Sequence, residues 1–288
     1  MKKFYKITGV FMGIVAVVGL ILCIVGVALG AKGAITFSFD NGFKIVDKTD
    51  IWKYEDMDME AFSSINIDSN IADIKIVKST DNYGVSCRLN GQDEDFNVEV
   101  KDGTLYISDK SEDMTVTFNI FNFNIGDSDV ITVYVPDDVV LENIKIDGNV
   151  GDVDIGGIQG AKELHITNDT GDVDIVGGTF ETLDINTDVG DITAERVTVT
   201  KEMSVMSDVG DIELDGEFRC DGNIQSRVGD VDLNTSVSKE EYNYNLSASI
   251  GDIDVFGKEY DGSGAVENST SAKYKLTITT DVGDIDVE

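Results

Sequence analysis

A five-residue phrase, Gly-Asp-Val-Asp-Ile at 151–155, opens at Gly151 and returns at Gly171, Gly190, Gly210, Gly229, Gly251 and Gly283. Successive glycines stand 20, 19, 20, 19, 22 and 32 residues apart. A period near twenty marks one supersecondary unit stacked on itself, as in a solenoid. An apolar frame travels with the phrase. Five residues before each glycine sit Ile146, Ile166, Ile185, Val205, Ile224, Leu246 and Ile278. Two and four residues after it sit pairs such as Val153/Ile155, Val173/Ile175 and Ile212/Leu214.

The second copy shows what one unit does. Leu164 and Ile166 share one face and Val173 and Ile175 another, so two short strands flank a corner at Gly171. A third side is looser, with Ile158, Phe180, Val197, Phe218 and Val237 as its inward residues. This predicts an all-β β-solenoid of parallel rungs, with the copy at Gly283 as the end rung. An antiparallel meander is the competing reading, but the corners lack hairpin dipeptides. The residue before the glycine is apolar in six copies (Val150, Val189, Val209, Val228, Ile250, Val282), and is expected to point inward at the bend.

Two acidic columns follow from the stacking. Asp152, Asp172, Asp191, Asp211, Asp230, Asp252 and Asp284 follow the glycine in every copy. Two residues later stand Asp154, Asp174, Thr193, Glu213, Asp232, Asp254 and Asp286. Like charges one rung apart cost free energy unless something compensates them. The first column fits aspartates accepting backbone N–H bonds at the corner. The alternative is a carboxylate ladder (Asp152, Asp154, Asp172, Asp174, Asp230, Asp232, Asp252, Asp254) that takes calcium weakly, since calcium accepts several oxygens at flexible geometry. The period does not match the calcium-binding nonapeptide repeat.

The chain has 288 residues, 29 glycines, a single proline and a formal charge of −33. The first 32 residues hold four lysines and no acid, so the remainder carries −37. Such a surface repels nucleic acid and favours cationic partners, besides keeping a repetitive β-surface soluble. Cys23, Cys87 and Cys220 form neither a metal spacing nor a disulfide framework.

Lys2, Lys3 and Lys6 precede an uncharged apolar run over 7–31, long enough to cross a bilayer. Leading lysines and an acidic remainder place the N-terminus in the cytoplasm and the rest outside the cell. A cleaved signal peptide, with Ala28-Leu29-Gly30 as its site, competes with an uncleaved anchor, but the run exceeds the usual signal-peptide core. The organisation expected is therefore cytoplasmic lysines and a transmembrane anchor over 1–32, an extracellular stalk over 33–61, an irregular β-rich part and cap over 62–147, and the regular solenoid over 148–288. Within the third segment, 71–76 is a worn copy with Ala72 in the glycine position, and Asp102-Gly103 marks a hairpin. The long interval before Gly283 is expected to form a loop over 260–272 that protrudes from one flank.

No enzyme is expected. The only histidine, His165, lies between two inward residues and hence on the surface, and Arg227 is expected in a local salt bridge. Carboxylate pairs are everywhere, whereas a catalytic pair needs one member with a raised pKa in a protected cleft. No nucleophile elbow, phosphate loop or metal signature is present, and no cofactor is expected beyond weak calcium.

The N-terminal apolar run, the strands ending in Val133-Tyr134-Val135-Pro136 and the serial Val-Gly-Asp-Val/Ile phrases resemble one family over about 62–288. It is the bacterial "putative adhesin" domain-of-unknown-function family of β-strand-repeat envelope proteins. The resemblance implies a β-solenoid at a Gram-positive-type cell envelope, with relatives associated with envelope-stress signalling and resistance to cationic peptides. It supplies no catalytic residues. The expected function is an adhesive or binding scaffold recognising envelope proteins or glycans. The alternative is an envelope-stress component meeting cationic peptides or a membrane partner through its acidic face. No wall-sorting signal is visible, so attachment is expected to rest on the N-terminal helix.

Overall fold

The computed structural model describes residues 34–38, 42–46, 51–90, 96–110, 116–119, 129–260, 264–268 and 271–288. The expected anchor over 1–32 lies outside them; among the described residues no helix is long and apolar enough to cross a membrane. The chain divides into two compact units. In the smaller, the strand Ala34–Ser38 pairs antiparallel with Gly42–Val46 on one side and Val116–Asn119 on the other.

The larger unit is the solenoid. One of its faces stacks, in parallel and in spatial order, Thr104–Asp109, Ser64–Ser69, Leu141–Val150, Gly160–Thr170, Thr179–Val189, residues 202–209, Asp221–Val228, Tyr274–Val282 and Tyr242–Ile250. The other stacks Val130–Pro136, Asp73–Ser79, Val153–Gly156, Val173–Val176, residues 192–195, Ile212–Phe218, Val231–Thr235, Ile285–Val287 and Ile253–Val255. The pairing between rungs is parallel throughout, which removes the antiparallel meander. The worn copy at 71–76 is a true rung beneath Gly151.

The apolar frame fills the interior. Ile67, Ile146, Ile166, Ile185, Val205, Ile224, Ile278 and Leu246 form one buried column, and Ile74, Val153, Val173, Ile192, Ile212, Val231, Ile285 and Ile253 face it. Each such side chain stabilises the fold by roughly 1.5–3 kcal/mol, and each depends on the rungs above and below it. Ile158, Phe180, Val197, Phe218 and Val237 close the third side and are buried as expected.

Chain order and spatial order part company at the C-terminal end. Ile285 pairs with Val231 on one side and Ile253 on the other. The copy at Gly283 is therefore inserted between those at Gly229 and Gly251, and the copy at Gly251 forms the outermost repeat rung. This corrects the expectation that the last copy in sequence would be the last in space. The repeats share one register, so each can stack on any other, and the 32-residue interval gives the chain the length to fold back.

Both ends are covered by antiparallel strands, which blunts the exposed edge of a parallel stack. At one end Phe96–Lys101 folds onto Thr104–Asp109 through Asp102 (φ 50°) and Gly103 (φ 76°), the two positive-φ positions of a tight hairpin. Beside it Gly84–Asn90 covers Val130–Pro136, and Ile51–Asp56, within the segment read as a stalk, pairs in turn with Gly84–Asn90. At the other end Glu259–Tyr260 and Gly264–Glu267 lie on Ile253–Val255 and Tyr242–Ile250. The described part of the expected protruding loop is thus an edge cover. Edge backbone groups attract it, because in a protruding loop neither side would be paired.

Candidate functional site: the repeat corner

The corner is where the two strand ladders break, so each rung must find other partners for its backbone groups. The glycine N–H donates to the carbonyl before the next glycine, as from Gly171 to Val189 at 2.9 Å. The following N–H, that of the aspartate, lies in the gap between ladders. It donates to Oδ1 of the aspartate one rung away: Asp152 to Asp73, Asp172 to Asp152, Asp191 to Asp172, Asp211 to Asp191, Asp230 to Asp211, Asp284 to Asp230 and Asp252 to Asp284, at 2.7–3.1 Å. Aspartate is present in every copy because its carboxylate reaches the next rung's N–H while remaining in solvent. Hydrogen bonds to an ionised acceptor are among the stronger ones and offset the like-charge stacking.

The glycine carbonyl is the other orphan. Three residues before the glycine stands an inward, buried polar side chain in most rungs: Ser69, Asn168, Thr187, Ser207, Ser226 and Thr280. Asn168 Nδ2 donates to the carbonyl oxygen of Gly151 at 3.0 Å, and the hydroxyls of Ser207, Ser226 and Thr280 donate to those of Gly190, Gly210 and Gly229 at 3.1 Å. This column went unread in the sequence, although the recurrence of Ser, Thr or Asn at one repeat position signalled it. The glycines themselves leave no room for a side chain. At Gly210, with φ 153°, a Cβ would lie 2.0 Å from the carbonyl oxygen of Gly190.

The residue before the glycine was expected to face inward, and here the structure corrects the sequence. Val150, Val189, Val209, Val228, Val282 and Ile250 are 38–65% exposed. The inside of the bend is occupied by the polar side chain that serves the glycine carbonyl, and the apolar residue turns out. In-register stacking aligns them: Thr170 neighbours Val150 and Val189, Val209 lies between Val189 and Val228, and Val282 between Val228 and Ile250. The result is an apolar ridge along the corner edge. On one side runs the aspartate ladder; on the other stand Asp169, Asp188, Asp208 and Asp281, with Arg227 paired to Asp208 at 2.9 Å. Strand propensity alone does not explain the ridge. Most outward positions of the same strands carry polar residues instead, such as Asn186, Ser204, Asn223, Gln225, Thr277 and Thr279, with Met206 an exception.

The second acidic column faces outward on the other sheet. Lys75 bonds Asp154, which holds the Lys75 ammonium pKa above its ordinary value. Asp174 neighbours Asp154 and Thr193, while Asp286 lies between Asp232 and Asp254. The pKa values of Asp174, Asp232 and Asp286 are raised, first by partial burial and then by neighbouring carboxylates. Among the described residues no group of three or more carboxylate, histidine or cysteine side chains converges to hold a metal ion. His165 is half-buried, 3.3 Å from Asp184 and 3.8 Å from Glu163. Burial pushes the thiols of Cys87 and Cys220 up to about 12, so both stay protonated at neutral pH.

A family model described as Toastrack DUF4097 matches residues 62–216 and again 138–288. The chain belongs to the Toastrack DUF4097 family. The two overlapping matches of the Toastrack model cover both the irregular first part and the regular repeats. No curated protein matches the chain. Among solved structures, a "putative adhesin" from Bacteroides fragilis is 19% identical, covering 84% of this chain and 98% of its own, with a TM-score of 0.44. A "putative adhesin" from Parabacteroides merdae is 12% identical over 83% and 96%, with a TM-score of 0.41. A "putative cell adhesion protein" from Clostridium sporogenes is 13% identical over 82% and 98%, with a TM-score of 0.34.

Proposed function

We propose that this Toastrack chain is a non-catalytic binding scaffold, anchored in the membrane by its N-terminal apolar run, with the solenoid outside the cell at the envelope. The observation that carries the reading is the exposed apolar ridge set between carboxylate columns. A contiguous apolar strip rimmed by charge is the form of an interaction surface. Its repetition from rung to rung suits an extended partner lying along the edge. The adhesive reading is supported by this surface. The charge around the ridge favours partners that are both cationic and amphipathic, which supports the second reading, a response to cationic peptides. Nucleic acid is repelled by the same charge. The successive acids Asp232, Asp286 and Asp254 would take calcium only weakly, since no converging ligand set accompanies them.

The test uses intact cells carrying the full chain, a labelled lysine-leucine peptide and labelled cell-surface polysaccharide. Added protease should remove the solenoid, and peptide or polysaccharide binding should fall when Val189, Val209 and Val228 are changed together to Ser. Protection from protease until lysis overturns the location; undiminished binding by the ridge variant overturns the surface.

A further inference from the structure

We propose that residues 242–288 form a docking module that two copies of this chain exchange reciprocally, joining them into a dimer. The module is internally complete. Its two rungs pair with each other along Tyr242–Ile250 and Tyr274–Val282 and along Ile253–Val255 and Ile285–Val287, and its cover strands lie on its own outer rung. Asn268 locks it further, with Oδ1 accepting from the Tyr244 N–H at 2.6 Å and Nδ2 donating to the Tyr242 carbonyl at 3.1 Å.

The module meets the rest of the solenoid through one rung interface. Tyr274–Val282 lies on Asp221–Val228, and Ile285–Val287 on Val231–Thr235. Three bonds of 2.6–2.8 Å fix the register: Tyr242 Oη to the Phe218 carbonyl, the Lys275 N–H to Asp221 Oδ1, and the Asp284 N–H to Asp230 Oδ1. The chain connection between the two parts is short. Ser236 and Val237 are still held to the body, and the exposed turn Lys239–Glu241, whose N-cap Ser238 makes no side-chain capping bond, leads into the module.

This arrangement has a consequence in the order of events. The rung that docks is the last in sequence, so the body edge at Asp221–Thr235 stays open until the whole module has folded and swung onto it. The module of a second copy presents the same docking rung, with the same bonds, to that open edge. Exchange changes only the turn, and this is the low-cost route to a closed two-fold dimer. Among the seven copies no other has this freedom: from Gly171 to Gly229 each rung docks on the copy just before it in sequence.

The test places Gln225→Cys in one full-length chain and Thr279→Cys in another, both with Cys23→Ser, because these positions are register partners across the interface. Partners in adjacent strands stand within disulfide range. The mixed chains are oxidised in detergent, with Thr193→Cys and Glu213→Cys, partners across an interior rung pair, as the collision control. Exchange predicts a disulfide-linked dimer from the 225/279 mixture and none from the control. Deleting Lys239 and Glu240 shortens the turn and should raise the linked fraction severalfold. A linked fraction no greater than the control with either turn length overturns the proposal, as does a purely monomeric mass for the shortened chain.

Discussion

The backbone N–H of Asp252 donates to Oδ1 of Asp284 at 2.7 Å, although Asp284 comes 32 residues later in the chain. Everywhere else among the seven copies, the bond runs from an aspartate N–H to the carboxylate of an earlier copy. The last step is reversed because the final copy is inserted beneath its predecessor. One chemical device, a carboxylate capping the next rung's orphan N–H, thus serves whichever rung lies above it. The ladder does not read chain order.

The ladder can be tested in the middle of the array. Asp211→Ala removes the acceptor for the Asp230 N–H and should cost about 1–2 kcal/mol, the scale of a charge-assisted hydrogen bond to a backbone donor. Asp211→Asn keeps an acceptor oxygen and should cost less than half as much. Glu213→Ala, two residues on and facing solvent, should stay within about 0.5 kcal/mol. Denaturant unfolding of the three variants gives the comparison; equal losses for Asp211→Ala and Glu213→Ala would show that the ladder contributes nothing.

Corner glycines differ from other positive-φ glycines in what surrounds them. Gly210→Ala drives a Cβ against the Gly190 carbonyl, whereas Gly177, at φ 76°, has open space around it. The first change should lower stability by roughly 3 kcal/mol or more, or prevent folding, and Gly177→Ala by about 1 kcal/mol. Melting temperatures of the two variants decide the matter, and equal shifts would contradict the stacking.

Much of this was legible in the sequence, because a repeat exposes its own requirements. The period gave the rungs, the invariant glycine and aspartate gave the corner chemistry, and Ala72 betrayed a worn rung. Two things were not legible. The valines before the glycines read as inward because that position is apolar in six copies, yet Asn168, Ser207 and their equivalents already occupy the inside of the bend. The insertion of the last rung was hidden because equivalent rungs are interchangeable in register. Only contacts outside the repeat frame, such as Tyr242 Oη on the Phe218 carbonyl, distinguish one order from another.

Rung order makes its own prediction. Ile212→Asp and Ile285→Asp each place a carboxylate in a rung covered on both sides, and both should cost several kcal/mol. Ile253, in the outermost repeat rung, is equally buried, but its outer neighbour is the two-residue cover strand Glu259–Tyr260 in place of a full rung, so Ile253→Asp should cost less. Thermal unfolding of the three variants is the check; a mild Ile285→Asp with a severe Ile253→Asp would restore the sequential order.

The acidic column predicts an unusual response to pH. Asp174, Asp232 and Asp286 have folded-state pKa values raised above the ordinary 3.8 by partial burial and by neighbouring acids. The folded state therefore binds protons before the unfolded state does, and stability falls as pH rises through the raised values. Their contribution grows as pH drops from neutral toward 3.8. Melting temperature should rise as pH falls from neutral toward 3.8, and the rise should shrink when the three are changed together to Asn. A fall over that interval, or a rise that the Asn set leaves untouched, would contradict the assignment.

The most direct measurement of the ridge as a binding surface is the affinity of the purified full chain for the lysine-leucine peptide, in low and high salt, with and without Val189→Ser, Val209→Ser and Val228→Ser. These valines are already half-exposed, so completing their burial is worth about 0.7 kcal/mol each. The triple variant should bind about thirty-fold more weakly at both salt concentrations, with its melting temperature little changed. The carboxylate columns should make the wild-type affinity fall steeply with salt. A Kd unchanged by the triple substitution would contradict the account.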